Sequence, residues 1–312
     1  MILNFLLYLL AFFGIWFGAG LAISSVEKLS SKLKVSSFAV SFLLLGFFTS
    51  ISELSVGVNS LIQNDPEIFV GNLIGASLVL FLLIVPLLAV TGNKIEINKE
   101  LRGFNLFASL IVIAAPVVLA IDGVVDQLDS IVAVILYFAL VISVQSQKGI
   151  LEKVSEIKQM SALTIGRELL KILVGVAIIF IASKFIVEET LYFSRLLQVS
   201  PFLISLLLIG IGTNIPELSL VVRSMFLKSN QVAFGDYVGS AAFNTFLLGF
   251  LSLWYGKPIM LDNNYLISLL FFLVGLSLFY LFSYTKNSIS RREGIILLGI
   301  YGVFVVVQLF LH

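Results

Sequence analysis

Residues 34–60 read KVSSFAVSFLLLGFFTSISELSVGVNS, and residues 198–224 read QVSPFLISLLLIGIGTNIPELSLVVRS. The two stretches align without a gap at an offset of 164 residues. At the same offset VGNLIGAS (70–77) lies over FGDYVGSA (234–241). Thr49 meets Thr213, Glu53 meets Glu217, Ser60 meets Ser224, Gly71 meets Gly235 and Gly75 meets Gly239. Membrane helices share composition, so weak self-similarity is cheap. Ungapped identity at Thr, Glu and Gly positions is not, and it points to an internal duplication.

The composition surrounding this repeat belongs to a membrane protein. Of 312 residues, 59% are hydrophobic and 12% are charged, and the mean hydropathy is +1.11. Soluble domains carry about 25% charged residues. A net charge of +1 supplies no basic face for nucleic acid. The absence of cysteine excludes disulfides and thiolate chemistry. A membrane-spanning helix needs about 20 apolar residues. The apolar runs place ten spans at 2–24, 36–62, 69–91, 104–121, 128–146, 168–187, 199–226, 232–254, 263–283 and 293–311. The first has no Lys or Arg before it and no small-residue cleavage site, so it reads as a retained helix.

Ten spans with an offset of 164 make an all-α membrane protein of two five-helix repeats: residues 1–146 and 167–312, joined by a polar amphipathic linker at 147–166. Five is odd, so the two halves cross the membrane in opposite senses, an architecture that places a site at the midplane. Sixteen of the 19 Lys and Arg fall on one side, and only Lys184, Arg195 and Lys257 on the other. The positive-inside rule then puts the central linker in the cytoplasm and both termini outside, in a cell (inner) membrane. The outer loops carry acids, including Asp65, Asp122, Asp126, Asp129, Glu188 and Glu189. They read as solvated loop caps before they read as a cation funnel.

Glu53 and Glu217 stand inside apolar spans. A charge at the bilayer centre costs about 2.5–3.5 kcal/mol on insertion scales, so each carboxylate needs a polar cavity or a partner. Each follows a threonine by four residues, in T-x-x-x-E, which sets both side chains on one helix face. Pro216 removes a backbone donor just before Glu217, and Gly46, Gly210 and Gly212 loosen the preceding turns. A helix broken there frees carbonyl oxygens beside a carboxylate. Oxygen donors with negative charge suit a hard cation, and two such carboxylates neutralise one Ca²⁺. Asp236, Ser240 and Asn244 continue the set as a polar stripe at i, i+4 and i+8. The matching first-half positions are Asn72, Ala76 and Leu80. The glycines serve close helix packing equally well.

GTNIPELSLVV…GDYVGSAAFNTF and FTSISELSVGV…GNLIGASLVLF resemble the two alpha repeats of the cation/calcium exchanger superfamily, to which the sodium/calcium exchangers belong. Those repeats follow G-(T/S)-S-x-P-E and then G-N-x-x-G-S-x-x-x-N/D. The resemblance implies a 5+5 inverted-repeat antiporter that binds its ions at mid-membrane and carries no cofactor. It implies that Glu53 and Glu217 are the paired glutamates. It makes Thr49 and Thr213 the motif threonines, whose carbonyls also reach calcium. Ser50 and Asn214 stand at the motif serine, and Ser240 and Asn244 are the polar ligands of the eighth span.

The first repeat departs from the pattern. Phe48 and Ser52 replace the motif glycine and proline, which predicts a less sharply broken second span. Ala76 and Leu80 replace two side-chain ligands, which argues against a three-sodium stoichiometry. Asn72 and Ser77 offer oxygens, with Ser77 about 100° around the helix from Ala76. The leading reading is Na⁺/Ca²⁺ exchange by alternating access. The alternatives are exchange of Ca²⁺ or another cation for protons, and a degenerate member that binds cations without transport. An enzyme is not supported: the one histidine, His312, is terminal, and no phosphate loop or hydrolase pattern appears. The partners expected are Ca²⁺, Na⁺ and lipid.

Overall fold

A computed structural model describes residues 2–30, 42, 46–92, 94–97, 101–146, 162–215, 217–218, 231–261 and 265–310. The described elements are α1 (Ile2–Ser30), α2 (Gly46–Thr49), α3 (Ile51–Ile62), α4 (Glu67–Thr91), β1 (Lys94–Glu96), α5 (Phe104–Leu119), β2 (Val124–Val125), α6 (Gln127–Ser146) and α7 (Ala162–Leu197). There follow α8 (Pro201–Thr213), α9 (Gln231–Tyr255), β3 (Ile259–Met260), α10 (Tyr265–Lys286), β4 (Ser288–Ser290) and α11 (Arg291–Phe310). Among the described residues seven helices are long and apolar enough to cross a membrane, and α3, α5 and α8 are shorter apolar helices. Most of the expected linker, 147–161, lies outside the described residues; α7 begins inside its last residues, at Ala162.

Local chemistry explains the helix starts. Ser200 caps α8 by accepting from the Leu203 backbone N–H at 3.2 Å, with Pro201 in the first turn, where its missing N–H costs nothing. Asp126 and Asp129 cap α6 reciprocally: Asp129 N–H donates to Asp126 Oδ1 at 3.0 Å, and Asp126 N–H donates to Asp129 Oδ2 at 2.9 Å. Ser290 and Glu293 repeat that device at α11, where Ser290 N–H donates to Glu293 Oε2 at 2.7 Å. Both are capping boxes, and they stand 164 residues apart. Asp122 and Asp126 thus serve as loop and helix caps, the first accepting from Val124 N–H at 3.1 Å.

The same offset organises the tertiary contacts, with the halves exchanging roles. In the β1–β4 ladder Ile95 faces Ile289, and in the β2–β3 ladder Val125 faces Ile259; adding 164 to one member of each pair and subtracting it from the other converts one ladder into the other. Ile97 N–H donates to Asn287 O at 2.9 Å, and Leu261 N–H donates to Gly123 O at 2.8 Å, by the same exchange. The turn residues match too: Gly123 and Asn287 both have positive φ, 82° and 49°. One ladder precedes α5 and the other follows it. Sixteen helical residues hold the two ladders about 24 Å apart along that helix.

The centre of the molecule is α4 with its mate α9. Phe69, Leu73, Leu80 and Phe81 on α4 and Tyr237, Val238, Leu247 and Leu248 on α9 are fully buried. Lipid tails are as apolar as leucine, so close backbone approach and polar contacts hold such helices together. Gly46 backs onto Gly239 and Ser240, and Gly210 backs onto Gly75 and Ala76, again one crossing drawn twice. Large apolar side chains point outward from α1, α6, α7, α10 and α11 (Phe13, Ile135, Leu173, Leu270 and Val303 among them), which suits a lipid-facing surface. The pair α1–α7 lies to one side and forms a second apolar cluster with Ile51, Val56 and Ile209. Tyr8 Oη and Thr190 Oγ1, 2.9 Å apart, join that pair to each other. Asn59 joins α3 to α7: its amide donates to Ser183 Oγ at 2.8 Å and to Phe180 O at 3.2 Å.

Candidate cation site

The site forms where two helix interruptions meet α4 and α9. Between α2 and α3 the backbone leaves helical geometry at Ser50, with φ −80° and ψ 7°. After α8 it does so at Asn214, with φ −90° and ψ 10°. The two angles match although the first repeat lacks the motif proline. The expectation of a blunter first interruption is therefore corrected. A side chain substitutes for the proline: Ser50 Oγ donates back to Gly46 O at 2.8 Å, while Ser52 Oγ also lies 3.1 Å from Thr49 O. Hydroxyls that bond the preceding turn compete with the helical ladder. In the second repeat Asn214 Nδ2 donates to Gly210 O at 2.7 Å in the same way. Pro216 itself lies outside the described residues. A π-helical turn at Ser205–Ile209 precedes the second interruption, and such turns concentrate at functional sites.

Every expected site residue whose side chain is described is buried: Thr49, Ser50, Glu53, Thr213, Asn214, Glu217, Ser240 and Asn244 are each 0–1% exposed. Asp236 sits on α9, and its side chain lies outside the described residues. Contacts cross between the halves at Ser50, Thr213, Asn214, Ser240 and Asn244. Ser52 Oγ donates to Glu53 Oε2 at 2.9 Å and also lies 3.4 Å from Thr213 O. One hydroxyl, with a single proton to give, therefore lies within reach of both the first-repeat carboxylate and a carbonyl of the second-repeat interruption. Glu217 stands four residues beyond Thr213, and the Leu218 N–H to Asn214 O bond of 3.0 Å keeps that turn helical. Thr213 Oγ1 donates to Asn72 Oδ1 on α4 at 3.3 Å. Ser50 Oγ and Ser240 Oγ are 2.9 Å apart, and Asn214 Nδ2 donates to Ala76 O at 3.4 Å; these two are mates under the 164-residue exchange. Ala76 and Leu80 are wholly buried and apolar, so the first-repeat side is lined as its sequence implies.

Three participants were not in the expected ligand set. Ser52 replaces the proline and gains the Glu53 contact. Asn72 receives Thr213. Ser77 accepts from Asn244 Nδ2 at 3.1 Å. The motif position at 76 drew the reading away from Ser77, yet α4 packs so that residue 77 meets Asn244.

Chemically, the cluster offers two carboxylates and neutral oxygens, without nitrogen or sulfur ligands. Asn214 Oδ1 and Asn244 Oδ1 are buried and receive no protein hydrogen bond among the described residues. Buried amide oxygens are normally satisfied, and unfilled acceptors beside carboxylates fit a hard cation. No group of three or more His, Cys, Asp or Glu gathers among the described residues.

The sequence profile of the sodium/calcium exchanger protein family matches residues 3–144 and 168–310. The chain belongs to that family. It is an integral, multi-pass membrane protein of an exchanger family and not an enzyme. The profile matches once in each half, as the repeat requires. A sodium/calcium exchanger of Methanosarcina acetivorans, MaX1, is 26% identical over 348 aligned positions, covering 99% of each chain. The inner membrane protein YrbG of Escherichia coli is 22% identical across 73% of this chain and 74% of its own. Among solved structures, the sodium-calcium exchanger NCX_Mj superimposes with a TM-score of 0.70 at 21% identity, covering 98% of each chain. An H⁺/Ca²⁺ exchanger, CAX, superimposes with a TM-score of 0.74 at 14% identity, covering 99% of this chain and 86% of its own. These likenesses establish the fold.

Proposed function

We propose that the chain is a secondary active antiporter that exchanges Na⁺ for Ca²⁺ by alternating access at a site shared by Glu53 and Glu217. Its ten spans form two five-helix repeats of opposite orientation, residues 1–146 and 167–312, joined by a cytoplasmic linker at 147–166. Both termini lie outside, in the cell membrane. The observation that carries the reading is that Ser52 Oγ lies 2.9 Å from Glu53 Oε2 and 3.4 Å from Thr213 O, so the first-repeat carboxylate sits against the second-repeat interruption, four residues before Glu217 in sequence. The exchange relation of the two β-ladders, about 24 Å apart along α5, supports the inverted arrangement. The ligands are Glu53, Glu217, Thr49, Thr213, Ser50, Asn214, Ser240, Asn244 and Asp236. The Glu53 and Glu217 carboxylates by themselves balance one Ca²⁺ or two monovalent ions, with Asp236 a further oxygen donor, and the same oxygens cannot hold both sets, which makes the transport an exchange. The relative MaX1 carries the name of a sodium/calcium exchanger, which agrees.

One observation favours a proton-coupled variant. Ala76 and Leu80 leave the first-repeat side without two ligand side chains and fully buried, so fewer Na⁺ positions exist and a buried carboxylate can carry a proton instead. Uptake of ⁴⁵Ca²⁺ into proteoliposomes separates the readings. An outward Na⁺ gradient at constant pH drives uptake if Na⁺ is the coupling ion. A pH gradient without Na⁺ drives it if the proton is. Folded protein that responds to neither gradient rejects exchange altogether.

A further inference from the structure

We propose that Ser77 is a positioning residue: it orients the Asn244 side-chain amide so that the carbonyl oxygen, not the NH₂ group, is left to face a bound cation. The proposal rests on the site reading above and deepens it. A carboxamide has two ends of nearly equal size and opposite use. Oδ1 ligates a cation; the NH₂ repels one. Rotation by half a turn exchanges them at little steric cost, and a buried amide whose Oδ1 is turned to a cation needs an acceptor for its NH₂ group; a hydroxyl can donate as well as accept, so Ser77 favours this orientation by accepting from Nδ2. Around Asn244 the described partner is Ser77. Asn244 is wholly buried on α9, and Ser77, on α4, is 1% exposed. The amide donates through Nδ2 to Ser77 Oγ at 3.1 Å. Oδ1 is buried and receives no protein hydrogen bond among the described residues.

The neighbourhood makes this orientation count. Asn244 lies one turn beyond Ser240, which pairs with Ser50 at 2.9 Å. One residue before Ser77, the Ala76 carbonyl receives the Asn214 amide, whose own Oδ1 is likewise left without a protein donor. Two amides from the second repeat are thus tethered by their NH₂ groups to consecutive residues of α4. The division of labour follows. The first repeat has lost ligand side chains at Ala76 and Leu80, and its α4 instead anchors the amides of the opposite repeat. Asn214 is held by a backbone oxygen that substitution cannot remove. Asn244 is held by a side chain, so Ser77 is the position at which the device can be tested.

The test is Ca²⁺ binding to purified protein by calorimetry, together with ⁴⁵Ca²⁺ uptake in proteoliposomes. Ser77→Ala raises the apparent Ca²⁺ constant by roughly threefold to tenfold, the range that one oriented hydrogen bond supports, with little change in maximal rate. Ser77→Thr and Ser77→Val have the same shape and differ in the hydroxyl; Thr stays nearer to wild type in Ca²⁺ affinity, and Val behaves as Ala does. These two serve if Ser77→Ala folds poorly. Adding Ser77→Ala to Asn244→Ala causes no further loss, because no amide remains to orient. Equal Ca²⁺ constants for the Thr and Val variants, or additive losses in the double variant, overturn the proposal while leaving the exchanger reading intact. Wild-type protein that neither binds nor transports Ca²⁺ overturns both.

Discussion

Replacing Gly210 with alanine tests the crossing on which the site is built. A Cβ there would stand 2.7 Å from the carbonyl carbon of Gly75 and 2.9 Å from the amide nitrogen of Ala76. Its mate behaves alike: a Cβ on Gly46 would stand 2.8 Å from the carbonyl carbon of Gly239 and 2.8 Å from the amide nitrogen of Ser240. Side chains swing away from an intruding methyl, whereas these backbone atoms belong to buried helices and cannot. Overpacking therefore costs near the upper end of its usual range, about 3 kcal/mol. Alanine's better helix propensity offsets about 1 kcal/mol, leaving a net loss of about 2 kcal/mol. Gly20 and Gly299 are the controls, since a Cβ on either meets no atom within 4 Å; alanine there is neutral or stabilising by up to about 1 kcal/mol. Thermal and denaturant unfolding in detergent reads the four variants side by side. Gly46→Ala and Gly210→Ala unfold early and by similar amounts, and both lose Ca²⁺ uptake, because Ala76 and Ser240 are displaced with the backbone. If Gly210→Ala unfolds with wild type while Gly20→Ala does not differ from it, the helices do not cross there and the derivation of the site fails.

Three further outcomes follow. Asn59→Leu removes the amide that bridges α3 to Ser183 and Phe180 O on α7; transport slows or quickens through the attachment of the α1–α7 pair, while the Ca²⁺ constant at equilibrium moves less than twofold, roughly the effect of a site left intact. Asp126→Ala removes the α6 cap and lowers the unfolding temperature. The Asp129 backbone N–H holds the Asp126 carboxyl below the usual carboxylate range, so its contribution is complete above about pH 4 and fades as pH falls through the depressed value; the acid limb of the wild-type stability profile is steeper than that of Asp126→Ala. Ser52→Ala removes the hydroxyl beside Glu53 and Thr213 O and weakens Ca²⁺ binding by roughly tenfold to a hundredfold, as expected for a hydrogen bond to a charged group. Ser52→Pro restores the motif residue without the hydroxyl and does not rescue it.

Much of the fold was legible because an offset of 164 residues is visible without coordinates. Thr49, Glu53 and Gly75 locate their mates directly, and the crossings come in matched pairs, Gly46 on Gly239 and Gly210 on Gly75. Spans such as 69–91 and 128–146 stand close to the helices Glu67–Thr91 and Gln127–Ser146, whereas α7 runs over Ala162–Leu197, past the expected 168–187 at both ends, so Glu188 and Glu189 lie on a helix and not in an outer loop. Where the structure shows short helices, at α3 and α8, the sequence already held the cause in Thr49–Ser50 and Thr213–Asn214, yet the first interruption was underestimated. Proline advertises a missing donor, whereas Ser50 acts by competing for a carbonyl, and that depends on rotamers. The two ladders were illegible for another reason. Lys94–Glu96 and Val124–Val125 are too short to alternate visibly, and their partners lie more than a hundred residues away. Ser77 is legible as an oxygen donor but not as the partner of Asn244, because a helix's rotation about its own axis is set by what it packs against, which the motif register alone does not contain.

The central claim is that Glu53 and Glu217 grip one divalent ion together. Calorimetric titration of the purified protein with Ca²⁺ tests it most directly, with Glu53→Gln and Glu217→Gln beside wild type. Wild type binds a single Ca²⁺, each substitution alone abolishes measurable binding, and the double variant is no worse than either. Retention of wild-type Ca²⁺ affinity by either single variant contradicts the account.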